Sequence, residues 1–280
     1  MKLNNIYLEK VIIEALEEDI GFGDLTTDYL IPSTHRSSGK IIVKEDGVVA
    51  GVGVARSVFE AVNSKIEFKA MVRDGDQVRA GDVIIKITGP TAGILKGERT
   101  ALNFMQRLSG IATKTCRLVT KVKDFPVRVV DTRKTTPTLR QLEKYAVRVG
   151  GGYNHRFGLY DAVMVKDNHI KAAGGIKKAV TTLRRNIPHT TKIEVEVTTL
   201  TEVEEALEAG ADIIMLDNMD IETMAEAVKQ IEGKALVEAS GGIDENTIIE
   251  VARTGVDVIS VGALTHQIES LDISLNLDSD

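Results

Sequence analysis

A chain of 280 residues with 43% hydrophobic and 27% charged side chains is long enough for one large or two modest domains around a sizeable core. Its single cysteine, Cys116, excludes a disulfide framework or a cysteine-built metal site and suits a reducing cytoplasm. A net charge of −6, no Trp and 4% aromatic residues argue against nucleic acid as a partner, and no apolar run nears the ~18 residues of a membrane span.

Apolar side chains at helical spacing over 6–18 predict an amphipathic helix, acidic too early in the chain for a secretion signal. The turn-rich stretch GFGDLTTDYLIP follows, where Asp24, Thr26 and Thr27 read as local backbone caps. Between 38 and 90, short β-rich runs are separated by Asp-Gly, Gly-Asp and Ala-Gly turns, with one helical run over 55–64. This predicts a β-rich α+β module. Its phrase DGDQVRAGDVIIKI shares turn chemistry with lipoyl- and biotinyl-type domains but lacks their modified lysine. Residues 96–124 read as a long helix interrupted near Ser109-Gly110. Arg99, beside Glu98 in the first turn, reads from spacing alone as half of an exposed ion pair.

After Pro126 the texture changes. Apolar runs of strand length recur at 127–130, 162–165, 193–197, 212–216, 235–239 and 257–261, with helical runs between them. Buried strands alternating with helices predict a parallel sheet with crossover connections. Six units fall short of eight, so the expected α/β fold is an incomplete (β/α) barrel of about six parallel strands behind an N-terminal α+β sandwich. An open doubly wound sheet is the runner-up.

Charge is distributed unevenly over this half. Residues 126–178 hold 11 Lys and Arg against 4 acids, a net +7 inside a chain of net −6. Arg140, Lys144 and Arg148 have the spacing of a solvated helix face. Arg133, Lys134, Arg156 and Lys166 instead stand at the ends of apolar runs or beside glycines. Barrel sites form at the C-terminal ends of strands. Read in order, those ends supply Arg133 and Lys134, Lys166, Glu196, Asp217, Ser240 with Gly241 and Gly242, and Gly262, joined by His155 and Arg156 from the GGGYNHR loop. Arg suits carboxylates and Lys suits phosphate. Glycines after two consecutive strands suit a phosphate cradle, or turns that need positive φ. Glu196 and Asp217 are fit to hold a divalent metal, bind sugar hydroxyls or stabilise a developing positive charge. The bland readings are a Lys166–Asp167 surface pair, a solvent-facing Glu196, an Asp217–Asn218 helix cap and a structural His155.

The phrases GDLTTD (23–28), GERTALNFMQRLSGIAT (97–113), DTRKTTP (131–137), GGGYNHRFGLYDAVMVKDNHI (150–170), EVEV (194–197), LDN (216–218), EASGGI (238–243) and DVISVGALTH (257–266) cover nearly the whole chain in order. Together they closely resemble the quinolinate phosphoribosyltransferases. The chain departs from that pattern at Thr138, where the family usually has Gly, and at Tyr153, usually a small residue. The resemblance implies a sandwich domain over 1–110 with the tail 267–280 against it, and a barrel domain over 111–266.

It also implies formation of nicotinate mononucleotide, pyrophosphate and CO2 from quinolinate and phosphoribosyl pyrophosphate, with Mg2+, in de novo NAD biosynthesis. Arg99, Arg133, His155, Arg156 and Lys166 would then grip quinolinate, with Thr135 also in the substrate site. Lys134 would contact the pyrophosphate-bearing sugar. Glu196 and Asp217 would hold ribose hydroxyls and magnesium, and Ser240–Gly242 with Ser260, Val261 and Gly262 would hold the 5′-phosphate. Lys134, Lys166, Glu196 and Asp217 would form the catalytic set. Arg99 would act across the interface of a cytoplasmic homodimer or larger oligomer. The alternatives are a phosphoribosyltransferase for nicotinate or another heteroaromatic acid, including molybdenum-operon relatives, and a non-catalytic metabolite-binding barrel. Paired Arg133 and Arg156 favour a dicarboxylate, since a monocarboxylate would leave buried cationic capacity unmatched.

Overall fold

The computed structural model describes residues 3–278, so Met1, Lys2, Ser279 and Asp280 of the expected domain spans lie outside it. In chain order the elements are α1 (Asn5–Ile20), α2 (Leu25–Leu30), β1 (Arg36–Val43), β2 (Gly47–Val48), α3 (Val52–Val62), β3 (Glu67–Ala70), β4 (Gln77–Val78), β5 (Val83–Pro90) and α4 (Thr91–Lys121). Then come β6 (Arg128–Val130), α5 (Arg140–Val149), β7 (Val163–Val165), α6 (Asp167–Ala173), α7 (Ile176–Asn186), β8 (Ile193–Val197) and α8 (Leu200–Glu208). The last are β9 (Ile213–Asp217), α9 (Ile221–Ile231), β10 (Leu236–Ser240), α10 (Ile248–Arg253), β11 (Val258–Ser260), α11 (Ala263–His266) and β12 (Ile273–Leu277). They form two compact units. One holds the chain up to Cys116, Thr135–Gly151 and everything from Gln267 on; the other holds Arg117–Lys134 and Gly152–His266.

The first unit is built on an antiparallel sheet of order β12-β1-β5-β3. Alternation in β1 buries Gly39, Ile41 and Val43, and Ile41 and Val43 join Phe59 of α3 and Met105 of α4 in one core. The turn-rich GDLTTD phrase contains the short helix α2, and its capping reading holds. Asp24 Oδ1 accepts from the Thr26 and Thr27 N–H groups at 3.0 Å each, and Asp28 accepts from the Asp24 N–H.

The expected break at Ser109-Gly110 is absent, because α4 runs unbroken for 31 residues. These residues make a notch instead of a stop. Ser109 Oγ accepts from the Ala50 N–H at 2.9 Å and donates to the Ala50 carbonyl at 3.2 Å. A Cβ on Gly110 would collide with the Glu269 carbonyl oxygen. The helical face Arg140, Lys144, Arg148 also differs from expectation. Lys144 and Glu143 are fully buried, because both faces of α5 are covered.

In the second unit the six parallel strands follow the order β6-β11-β10-β9-β8-β7. That is the cyclic order of a barrel opened between β6 and β7. Along the open edge of β6, Tyr153 makes a parallel bridge to Val130. Among the described residues no helix is long and apolar enough to cross a membrane.

Gly110→Ala is expected to cost about 1–3 kcal/mol, the range for forcing extra atoms into a filled space. Urea unfolding of the two proteins measures it.

Candidate active site at the strand ends

In a parallel sheet, side chains of residues paired across strands project to the same face. The observed register pairs Glu196 with Met215 and Met215 with Glu238, and Asp217 with Ser240. One face therefore carries Glu194 and Glu196 on β8, Asp217 on β9, Glu238 and Ser240 on β10, and Ser260 on β11. The other face is apolar. Val195, Ile214, Leu216, Val237, Ala239 and Ile259 are all buried there.

Two carboxylates lie deep on the polar face, Glu194 and Glu238, each 3% exposed. Buried carboxylates need partners, and His155 is the nearest. Its Nε2 lies 3.1 Å from Glu194 Oε2 and 3.6 Å from Glu238 Oε1. The Arg156 N–H donates to His155 Nδ1 at 2.7 Å, which assigns the ring proton to Nε2 and makes the ring a donor to Glu194. The ligand atoms of His155, Glu194 and Glu238 lie within 4.8 Å of one another, a spacing compatible with a cation. A proton on Nε2, however, leaves no lone pair there for a metal, and metal-binding histidines donate from their other nitrogen instead of accepting. His155 and Glu194 are hydrogen-bonded, and Glu238 lies beside them. Glu238 Oε1 has no hydrogen-bond partner. Burial, and then the charge of Glu194, push the Glu238 carboxyl up to about 7.

Above this layer, at the strand ends, stand Lys166, Glu196 and Asp217. Lys166 Nζ forms an ion pair with Glu196 Oε2, so Lys166 does not pair with Asp167, which meets Lys171 at 3.3 Å. Asp217 ends β9 and accepts from Asn218 Nδ2 at 2.9 Å, while Asp220 caps α9; the helix-cap reading of Asp217–Asn218 fails. Gly241 and Gly242 both have positive φ, 100° and 62°, and a Cβ on Gly241 would strike Asn218. These glycines satisfy a turn and a close approach together. At Gly262 the space a Cβ would need is taken by the Lys134 stem, 3.0 Å away, and the Lys134 carbonyl accepts from Thr265 Oγ1 at 2.7 Å. Ser260 is buried, its hydroxyl reaching the Ala239 carbonyl at 3.4 Å, and Val261 is buried beside it.

Burial, and next the charge of Arg133, hold Arg156 below the usual guanidinium range. Arg156 Nη1 donates to the Ala162 carbonyl at 2.9 Å. Arg99 and Thr135 belong to the first unit. Arg99 is exposed on α4, and Thr135 Oγ1 accepts from Arg140 Nε at 2.9 Å. A groove of about 440 Å3 at the start of α7, lined by Lys177, Lys178 and Arg185 among others, shares no residue with this set.

Residues 24–109 match the profile of the quinolinate phosphoribosyl transferase N-terminal domain, and 111–276 match that of its C-terminal domain. The chain belongs to the quinolinate phosphoribosyltransferase family. It is 44% identical to a probable nicotinate-nucleotide pyrophosphorylase (carboxylating) of Bacillus subtilis, over 98% of this chain and 95% of that one. It is 42% identical to tobacco quinolinate phosphoribosyltransferase (decarboxylating) 1b, over 98% and 83%. The crystal structure of nicotinate-nucleotide pyrophosphorylase from Francisella tularensis superposes with a TM-score of 0.95 at 42% identity, covering 99% of this chain and 98% of that one.

Sequence reading of this family member missed three residues of the site. Asp131, fully buried, accepts from the His155 N–H at 2.9 Å and from Asn154 Nδ2 at 2.5 Å, stapling the GGGYNHR loop to the end of β6. Glu194 and Glu238 were legible through strand alternation, which places them below Glu196 and Ser240 on one face.

The raised Glu238 group has a thermodynamic consequence. Folded protein holds this proton more tightly than unfolded chain, so the stability contribution is full below the ordinary value of 4.5 and is lost as pH rises through about 7. Glu238→Gln should therefore lose less stability than wild type between pH 5 and pH 8, read from urea midpoints. Parallel losses in the two proteins would contradict it.

Proposed function

We propose that this chain transfers phosphoribosyl from phosphoribosyl pyrophosphate to quinolinate and decarboxylates the product to nicotinate mononucleotide, serving NAD biosynthesis. The observation that carries this reading is Arg156, held on the Ala162 carbonyl and disfavoured in its charge first by burial and then by Arg133, more than Glu194 and Asp161 offset. A further anion would relieve that cost, and adjacent carboxylates on one ring supply two. His155, with both ring nitrogens engaged, contributes by seating Arg156. Lys134 meets the pyrophosphate-bearing sugar, and the Ser240–Gly242 and Ser260–Gly262 turns take the 5′-phosphate.

Departure of pyrophosphate leaves positive charge on the ribose, which Glu196 and Asp217 stabilise from adjacent strand ends. Held by the arginines, the quinolinate nitrogen attacks the anomeric carbon. When the neighbouring C–CO2 bond breaks and CO2 leaves, its electron pair stays on that ring carbon, stabilised by the adjacent cationic nitrogen, and takes up a proton from water. Glu196 and Asp217 offer hard carboxylate oxygens of the kind Mg2+ takes. When bound, Mg2+ supplies neutralisation of phosphate charge.

We further propose a homodimer or larger homo-oligomer in the cytoplasm. Support comes from Phe22, Leu25, Tyr29 and Leu30 exposed on the first unit and Leu159 and Tyr160 exposed on the second, apolar surface that a second copy would cover. In such an assembly the exposed Arg99 serves the partner's barrel.

Incubation with phosphoribosyl pyrophosphate, Mg2+ and either quinolinate or nicotinate is expected to yield CO2 and mononucleotide from quinolinate alone. Product from nicotinate only would replace this reading with the non-decarboxylating one. Arg99→Ala should lower kcat/KM by roughly 100-fold or more, the scale for a lost transition-state contact, with circular dichroism unchanged. Co-expressed with Lys166→Ala, it should regain activity through mixed dimers; no recovery would place Arg99 in its own chain's site.

A further inference from the structure

Helix α5 begins without a cap of its own. Leu139 occupies its N-cap position and makes no side-chain cap hydrogen bond, although the first N–H groups of a helix have no intrahelical partner. Ser, Thr, Asp or Asn ordinarily meets that need. Here a residue distant in sequence does so. The Tyr7 hydroxyl, from α1, donates to the Thr138 carbonyl at 2.7 Å, and its oxygen accepts from the backbone N–H groups of Leu142 and Gln141. One phenol thus satisfies the start of α5 and grips the residue just before Leu139.

The gripped residue is strained. Thr138 has φ 68°, a left-handed conformation that a β-branched side chain rarely adopts. Its neighbours are pinned as well. Arg107 Nη2 donates to Thr136 Oγ1 at 2.7 Å, and Glu143 Oε2 accepts from the Thr136 N–H at 3.1 Å. Arg107 Nε and Nη2 both reach Glu143 Oε1, at 2.9 and 2.6 Å, and Arg140 holds Thr135. Four side chains from three helices therefore fix residues 135–138, the direct continuation of Arg133 and Lys134. A strained segment persists only when its surroundings over-determine it.

We propose that Tyr7 is a positioning residue for phosphoribosyl transfer: it caps α5 from another helix and holds the strained 135–138 segment that directly follows Lys134 in the chain. This rests on the reaction proposed above. Its test is Tyr7→Phe in the full chain, which keeps the ring and removes the hydroxyl. Amide exchange at Gln141 and Leu142 is expected to accelerate roughly five- to tenfold, the scale of a lost cap, without change in β1 or β5. KM for phosphoribosyl pyrophosphate should rise by a similar factor with kcat little altered.

Adding Thr138→Gly, which relieves the left-handed strain, should bring KM back toward wild type while exchange at Gln141 and Leu142 stays fast. Unchanged exchange in Tyr7→Phe would overturn the cap, and faster exchange with unchanged KM would overturn the positioning role. A wild-type protein without transfer activity would refute the proposed reaction instead, a failure visible before any variant is made.

Discussion

Burial disfavours the charge of Arg156 and the charge of Arg133 disfavours it further, a cost that the carboxylates of Glu194 and Asp161 offset only in part. Arg156 is fixed by a hydrogen bond from its guanidinium to Ala162 and by one from its backbone to His155. His155 is held by Glu194 beneath it and, through its own N–H, by buried Asp131. Two acids thus hold the histidine that seats Arg156.

The same sheet explains the layering. One face is apolar and anchors the strands against helices. The other carries short polar side chains, buried low on the strands and open at their C-terminal ends. Low on this face, a carboxyl such as Glu238 retains its proton toward neutrality because burial disfavours its charge. At the rim, Glu196 remains partly exposed and meets Lys166. Depth therefore separates the carboxyl that keeps its proton from the one that is ion-paired at the rim.

Much of this was legible in the sequence where the signal is local. Six apolar runs located β6–β11 to within a residue or two, and IEVEV placed Glu194 and Glu196 on one face. Strand ends selected Arg133, Lys166, Glu196 and Asp217, which the structure sets at the rim. What escaped depends on partners distant in the chain. Ser109-Gly110 looked like a helix break because only the fold reveals Ala50 and Glu269 filling that notch. Lys144 shares its spacing with exposed lysines, and only tertiary cover buries it. Thr138 stood out only as a departure from a family glycine; its positive φ gives that departure a physical meaning. No periodicity links Tyr7 to a helix that starts at Arg140.

If paired cations define the site, affinity must depend on the second carboxylate. Calorimetric titration of the protein with quinolinate and with nicotinate measures this directly. The account predicts quinolinate to bind tighter by on the order of 100-fold or more, the scale for leaving a charged recognition group unmatched, and predicts that Arg133→Ala removes most of that preference. Equal affinities for the two acids, or a preference that survives Arg133→Ala intact, would contradict it.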